Sequence, residues 1–258
     1  TGGTGNGSSW AAASNDIQAM INASSTGDEI KVAAGTYKPN RTAESPTVVY
    51  AGTDATTKRK RTFLLKNGEK LTGGYPANAS TTTEVSKPID NKTILSGDFN
   101  GDDTFTSGVV LGGNSENAYN VVMIAGNANE VYTLKGFHIT GGNANSTSSI
   151  TINASEAINL NTGAGINIVA KSVSNTNSYV NDYTEINIEA CVLYRNTAKY
   201  GGAIRIRSKT ESNITNSIFY ENLATDYGGA VSHSSFRGDF EYNTFYSNRA
   251  VMEGGAIQ

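Results

Sequence analysis

Residues 193–204 read LYRNTAKYGGAI, residues 219–231 read FYENLATDYGGAV, and residues 245–257 read FYSNRAVMEGGAI. Their asparagines, Asn196, Asn222 and Asn248, stand 26 positions apart, and Ala198, Ala224 and Ala250 keep the same step. So do Leu193, Phe219 and Phe245, and five positions upstream of them Ile188, Ile214 and Phe240. A unit this short holds a few strands and turns, too little to bury its own apolar face. Stacking copies pairs each strand with its counterpart one coil along, about 4.8 Å away. The aligned apolar positions then become inward ladders. The paired glycines (Gly201 with Gly202, Gly228 with Gly229, Gly254 with Gly255) supply a bend that a side chain obstructs. Asn at one turn position satisfies turn backbone groups and its stacked neighbours. The repeat predicts an all-β fold, a right-handed, single-stranded parallel β-helix: a solenoid.

Outward from the repeats, residues 134–144, LKGFHITGGNA, form a degenerate fourth copy. Leu134, Ile139 and Ala144 fall in register, but Gly142 replaces the asparagine. Short strand-like runs precede and join these copies at 62–65, 70–75, 93–95, 121–124, 133–139, 165–169 and 185–193. No proline follows Pro88, so nothing removes a ladder donor from a later strand. The composition agrees: 28 Gly, 4 Pro, 17% charged residues and an abundance of Asn and Thr suit turns and pleated strands. The one stretch with helical spacing lies near the start. Trp10, Ile17, Met20 and Ile21 share a face, with Ser14 or Asn15 capping a run that begins near Asp16. Such an amphipathic helix suits the open first coil, because a solenoid has unpaired strand edges only at its ends. The predicted organisation is one domain over 1–258, with a cap at about 1–28 and coils at about 29–258. The Ser/Asn/Thr-rich stretches 143–162 and 170–183 read as loops inserted between coils. Residues 42–60, leading into the basic run Lys58, Arg59, Lys60 and Arg61, read as a further excursion. The chain stops at GGAIQ, inside a repeat. An open final coil exposes apolar rungs, which predicts further coils or cover by another chain.

The charge balance bounds the partners. A net charge of −3 argues against nucleic acid, which rewards a strongly basic face. No apolar run approaches the roughly 18 residues a spanning helix needs, so no membrane insertion by this segment is predicted. The opening TGGTGNGSSW has neither the basic start nor the apolar stretch of a secretory leader. Cys191 is the only cysteine, which excludes an internal disulfide.

The pattern N-x-A followed by GGA and Ile or Val, preceded by an aromatic residue or Leu, resembles the polymorphic outer-membrane protein repeat of bacterial surface β-helix proteins. Residues 5–24, GNGSSWAAASNDIQAMINAS, with 27–39, GDEIKVAAGTYKP, are similar to the opening cap and first coil of such secreted proteins. The pieces FLLKNGEKLTGGY (63–75), TILSGDFNG (93–101) and LKGFHITGG (134–142) resemble their successive coils. The likeness touches most of the chain and departs at Gly142 and in the inserts. It implies the fold and an extracellular or cell-surface, outer-membrane-associated address. It implies much less about activity, since many roles share this solenoid.

Four constellations carry candidate chemistry. Asp98, Asn100, Asp102 and Asp103 in SGDFNGDDT offer the oxygen ligands that calcium takes, spaced like the start of an EF-hand loop. Asp103 then stands where that loop needs Gly, and Val109 where it needs a bidentate Glu, so a polar turn is the competing reading. Arg205 and Arg207 alternate with Ile204 and Ile206 and point outward from one strand. They are the candidate catalytic pair of a polysaccharide lyase, which needs a base beside a group that neutralises a uronate carboxylate. Against this, the next repeat carries Ser232 and Ser234 at those positions, which favours two solvated arginines. The acids Glu221, Asp226, Asp239, Glu241 and Glu253 occupy different repeat positions and do not form the converging pair of a glycosidase. His233 aligns with inward Ile206 and Ile168, whereas His138 faces out. Tyr194, Tyr220 and Tyr246 stack along the outer face, and Tyr200 and Tyr227 form a second row. Aromatic rows pack against sugar rings or stabilise a sheet with no ligand.

The sequence therefore favours a non-catalytic extracellular or surface β-helix, an adhesin-like or glycan-contacting segment of a longer chain. Its partner would be a host or dietary polysaccharide or another surface protein. The alternatives are a polysaccharide lyase on the same fold and an inert spacer.

Overall fold

A computed structural model describes residues 3, 5–80, 85–106, 110–152, 157–170, 183–207, 209–234 and 237–258. Most strands fall into four all-parallel sheets running along one axis. Sheet 1 contains Glu29–Ala33, Lys70–Tyr75, Val131–Lys135, Thr184–Glu189, Thr210–Thr215 and Phe240–Glu241. Sheet 2 contains Gly35–Tyr37, Thr93–Ser96, Phe137–Thr140, Val192–Tyr194, Ile218–Tyr220 and Thr244–Tyr246. Sheet 3 is shorter, with Asn143–Ala144, Thr197–Tyr200, Leu223–Tyr227 and Arg249–Ala250. Sheet 4 contains Phe63–Leu65, Val122–Gly126, Ile166–Ala170, Ile204–Ile206 and Val231–His233. The first two turns visit sheets 1, 2 and 4, and from Val131 onward the chain visits sheets 1, 2, 3 and 4 in sequence, so the protein is an all-β parallel solenoid.

Period-2 alternation inside each short strand turns one set of side chains inward, and the parallel register stacks them. In sheet 1 the inward ladder is Ile30, Leu71, Leu134, Ile188, Ile214 and Phe240. In sheet 2 it is Tyr37, Leu95, Ile139, Leu193, Phe219 and Phe245. Sheet 4 supplies Phe63, Val122, Ile166, Ile204 and Val231. These ladders merge into one continuous apolar core, with each buried Leu, Ile or Phe contributing about 1.5–3 kcal/mol. Sheet 3 carries the ladder Ala144, Ala198, Ala224 and Ala250.

The corners explain why two of the strand-like runs break. Residues 133–139 and 185–193 each divide, at Gly136 and at Ala190. Gly136, Ala190, Asn216 and Tyr242 all take left-handed φ, of 74°, 51°, 50° and 54°. The next corner repeats the device at Gly141, Arg195, Glu221 and Ser247, with φ of 73°, 56°, 54° and 54°. The degenerate coil uses glycine where the later coils force an L-residue into a region that costs it roughly 1–2 kcal/mol.

Helix α1 (Ile17–Ala23) closes the first rung. Its N-cap is Asp16, whose carboxylate accepts from the Ala19 N–H at 2.9 Å, rather than Ser14 or Asn15. Ile17 and Ile21 enter the core, and the buried Gln18 pairs with the open edge of sheet 4 through the Leu64 N–H and carbonyl. Trp10 lies before the helix and packs on Tyr75 with ring centroids 5.3 Å apart.

The 143–162 insert is more than a loop. Ser149–Thr151 and Ala157–Asn159 form an antiparallel hairpin laid over the outside of sheet 4. Its Ile150, Ile152, Ile158 and Leu160 bury against Leu64, Met123 and Val169, making a second apolar cluster. Within the 42–60 excursion, Ala43 joins that cluster and helix α2 (Ala55–Arg59) forms. Of the 170–183 insert, residues 171–182 lie outside the described residues. At the far end Val251, Met252 and Ile257 are exposed, while Phe245 stacks on Phe219.

Candidate functional sites on the solenoid surface

The acidic loop follows the sheet 2 strand Thr93–Ser96. Chain reversal through the hairpin Thr104–Thr106 and Val110–Gly112 returns Glu116 to the loop from 18 positions after Asp98. Carboxylate oxygens of Asp98, Asp102 and Glu116 lie within 4.8 Å of one another. The grouping differs from the sequence expectation in three members. Glu116 joins it unannounced. Asn100 contributes a backbone N–H that donates to Glu116 Oε1 at 3.0 Å. Asp103 turns to Asn117, whose Nδ2 donates to both its oxygens at 3.0 and 3.1 Å. Partial burial, then the charges of Asp98, Glu116 and Asp102, push the Asp103 carboxyl up to about 6. Oxygens so placed are donors of the kind hard cations take.

The outer face of sheet 2 carries two registered rows. One is Ser96, Thr140, Tyr194, Tyr220 and Tyr246; the other is Ile94, His138, Val192, Ile218 and Thr244. Burial pushes the His138 imidazole below its usual range, so neither row carries charge at neutral pH. The tyrosine rings stack at 4.9 and 5.0 Å with planes within 6° and 2° of parallel. Their faces are therefore turned on one another, and His138 meets Tyr194 edge-on at 6.4 Å. A sugar ring cannot lie flat between them; what the row offers outward is ring edges and hydroxyls. Burial, reinforced by the neighbouring phenols, pushes Tyr220 up to about 12, so its hydroxyl keeps its proton and can donate. The contrast with sheet 1 is sharp. There Glu185, Glu189, Glu211, Glu241, Lys135 and Arg237 crowd the outer face, with the pairs Lys135–Glu189 at 2.8 Å and Arg237–Glu211 at 3.0 Å.

Arg205 stands on sheet 4 in the outer row Leu64, Met123, Asn167, Arg205 and Ser232. Its Nη1 and Nη2 donate to the hydroxyls of Ser232 and Ser234, each at 2.6 Å. Arg207 donates to the Ala157 carbonyl at 2.7 Å and so ties down the hairpin. Both arginines thus hold structural contacts, and they occupy a different sheet from the strand that leads into the acidic loop. Tyr200 and Tyr227 stack at 5.8 Å beside them, with the Arg205 guanidinium 5.8 Å from the Tyr200 ring. His233 sits in register with Ile206 as expected and is half-buried, with burial and then Arg205 lowering its pKa. Cys191 is fully buried, which pushes its thiol up to about 12 and leaves it unreactive.

By its architecture the chain belongs to the class of all-β parallel solenoids. No protein-family model, no curated protein and no solved structure matches it.

Proposed function

We propose that this chain is a non-catalytic, extracellular or cell-surface segment of a longer protein, adhesin-like and in contact with glycan. The observation that carries the reading is the uncharged outer face of sheet 2, with its regular ladder of tyrosine edges and hydroxyls. Charged side chains crowd the outer face of sheet 1, whereas neither outer row of sheet 2 is charged, and that difference suits sheet 2 to contact. Hydroxyls repeating at the rung spacing offer one hydrogen bond per coil to an extended neutral polysaccharide lying along the axis. The likeness of the N-x-A and GGA repeats to polymorphic outer-membrane protein repeats supports the surface address.

The test is co-sedimentation of the purified chain with insoluble neutral polysaccharides, cellulose and chitin, beside Tyr220→Ala. Retention of the native chain that falls about tenfold in the variant, with an unchanged β-sheet circular dichroism spectrum, is the expected result. A native chain that stays in the supernatant sinks the reading, as does retention indifferent to Tyr220. Release of unsaturated uronates from acidic polysaccharide would replace it with the lyase.

A further inference from the structure

Phe105 is a large apolar side chain that the fold leaves outside the apolar clusters of the described residues. It stands on the hairpin strand Thr104–Thr106 and is 45% exposed. One face of its ring lies on the Arg195 guanidinium, whose central carbon is 3.6 Å from the ring centroid. A guanidinium covers one face only, so the exposed surface belongs to the other face and the rim. The two arginine–ring pairs nearest to it in geometry differ in this respect. Tyr119, under Arg59 at 4.2 Å, is buried, and Phe99, under Arg61 at 3.7 Å, is half-buried. Those rings fill the protein's own surface, whereas Phe105 holds a face out to solvent.

Arg195 follows Tyr194 at the corner of sheet 2, and its guanidinium also lies 6.0 Å from the Tyr194 ring. Its Nε donates to Glu221 Oε2 at 2.6 Å. That carboxylate neutralises the cation and fixes the plane on which Phe105 rests. A ring whose plane is already set gives up little rotamer freedom when a ligand covers it. Phe105 therefore stands beside the first phenol of the tyrosine row and supplies what the row lacks, an open aromatic face. The surrounding charge selects the ligand. Asp98, Asp102 and Glu116 flank the hairpin in sequence and gather where it leaves the coil. They repel carboxylate and sulfate and accept from hydroxyls. The C–H groups on the flat side of a neutral pyranose meet the negative face of a phenyl ring, while its equatorial hydroxyls stay free for hydrogen bonds.

We propose that Phe105 is a stacking subsite for one sugar ring of a neutral, β-linked glycan. Arg195 holds the phenyl plane from behind, and hydroxyls of the same glycan chain reach the tyrosine row from Tyr194 onward. The subsite rests on the glycan-contacting reading and narrows its ligand to pyranoses with equatorial hydroxyls and no acid group, of the cellulose or chitin type.

The experiment is isothermal titration of the full chain with cello-oligosaccharide, chito-oligosaccharide and, as the acidic control, oligogalacturonate. One or both neutral sugars should bind at least about tenfold tighter than the acidic one. Phe105→Ala should lose about tenfold or more, and Phe105→Leu should lose as much, because it keeps the apolar bulk without the flat face. Phe105→Trp should keep the affinity and report the sugar by a shift in its fluorescence. The native chain serves as the blank, since its single tryptophan, Trp10, packs on Tyr75 at the N-terminal cap. Unchanged circular dichroism verifies that each variant still folds. Native affinity in Phe105→Leu, indifference to Phe105→Ala, or a silent Phe105→Trp overturns the subsite, as does oligogalacturonate binding as tightly as the neutral sugars. Binding that falls in Tyr220→Ala but not in Phe105→Ala overturns it while sparing the sheet 2 reading. A native chain that binds no probe overturns both.

Discussion

The backbone N–H of Asn196 donates to the side-chain Oδ1 of Asn222, 3.1 Å away and 26 positions further along the chain. Asn222 repeats the gesture toward Asn248 at 3.1 Å, and Asn196 in turn receives the Gly142 N–H at 3.0 Å. Each Nδ2 reaches back to a carbonyl of the preceding coil, Ile139, Leu193 and Phe219 in order. The ladder is directional: an asparagine serves the backbone of the coil before it. Gly142 ends the ladder by donating its N–H, and a Cβ there would collide with the Ala164 carbonyl oxygen, so the degenerate coil carries no side chain at this position.

Removing the middle member should therefore cost more than one hydrogen bond. Asn222→Ala leaves the buried Asn196 N–H without its acceptor and takes the Asn222 Nδ2 donor from the Leu193 carbonyl, and an unsatisfied buried group costs about 1–3 kcal/mol. We expect a loss of about 2–4 kcal/mol in urea unfolding, and a smaller one for Asn248→Ala on the last rung. Equal effects at the two positions would contradict the ladder account.

The left-handed corners predict a stabilising change. Ala190 holds φ 51° where the preceding coil has Gly136. Ala190→Gly removes the Cβ conflict and adds unfolded-state entropy, for a net gain of about 0.5–1 kcal/mol. Thermal denaturation should show a raised midpoint; a drop would mean that the corner is unstrained.

The Asp103 carboxyl, raised to about 6 by burial and by Asp98, Glu116 and Asp102, makes stability depend on pH. The folded state holds its proton more tightly than the unfolded chain. This contribution is fully present below about pH 4 and is lost as pH rises through 6. Asp103→Asn removes that loss. At pH 7.5 the variant should be about 1 kcal/mol more stable, after allowance for the exposed half of the group. At pH 4 the two chains should unfold together, as urea titrations at both pH values will determine.

The hairpin over sheet 4 behaves as core in this structure. Ile158 is fully buried in the second apolar cluster. Ile158→Ala should cost about 2–4 kcal/mol, against well under 1 kcal/mol for a substitution in a solvated insert. Proteolysis within the insert should accelerate in parallel.

How much of this could be read from the chain differs by residue. Leu193, Phe219 and Phe245, the asparagines and the alanine row were all legible, because a contact between neighbouring coils is written as a fixed step. The αL corners left a fainter trace in Gly136 and Gly141, whose φ the later coils copy with Ala190 and Arg195. Glu116 left none: only the hairpin fold-back brings it to Asp98, and no period connects them. The hairpin within 143–162 reads as a loop in the sequence, since its Ser/Asn/Thr content hides four apolar residues that find their partners on an outer face. Tyr194, Tyr220 and Tyr246 were placed correctly, but their usable surface was not. Whether stacked rings show faces or edges depends on side-chain rotation about a strand, which the step does not encode.

By itself, then, the sequence determined the repeat, the inward ladders and the parallel stacking, since each follows from nearest-neighbour contacts recurring at one spacing. The tertiary structure alone decided what the outside carries. It set the carboxylates that meet, the serine hydroxyls that hold Arg205, and the tyrosine edges. Those depend on excursions and rotamers that touch the solenoid once, with no repetition to announce them.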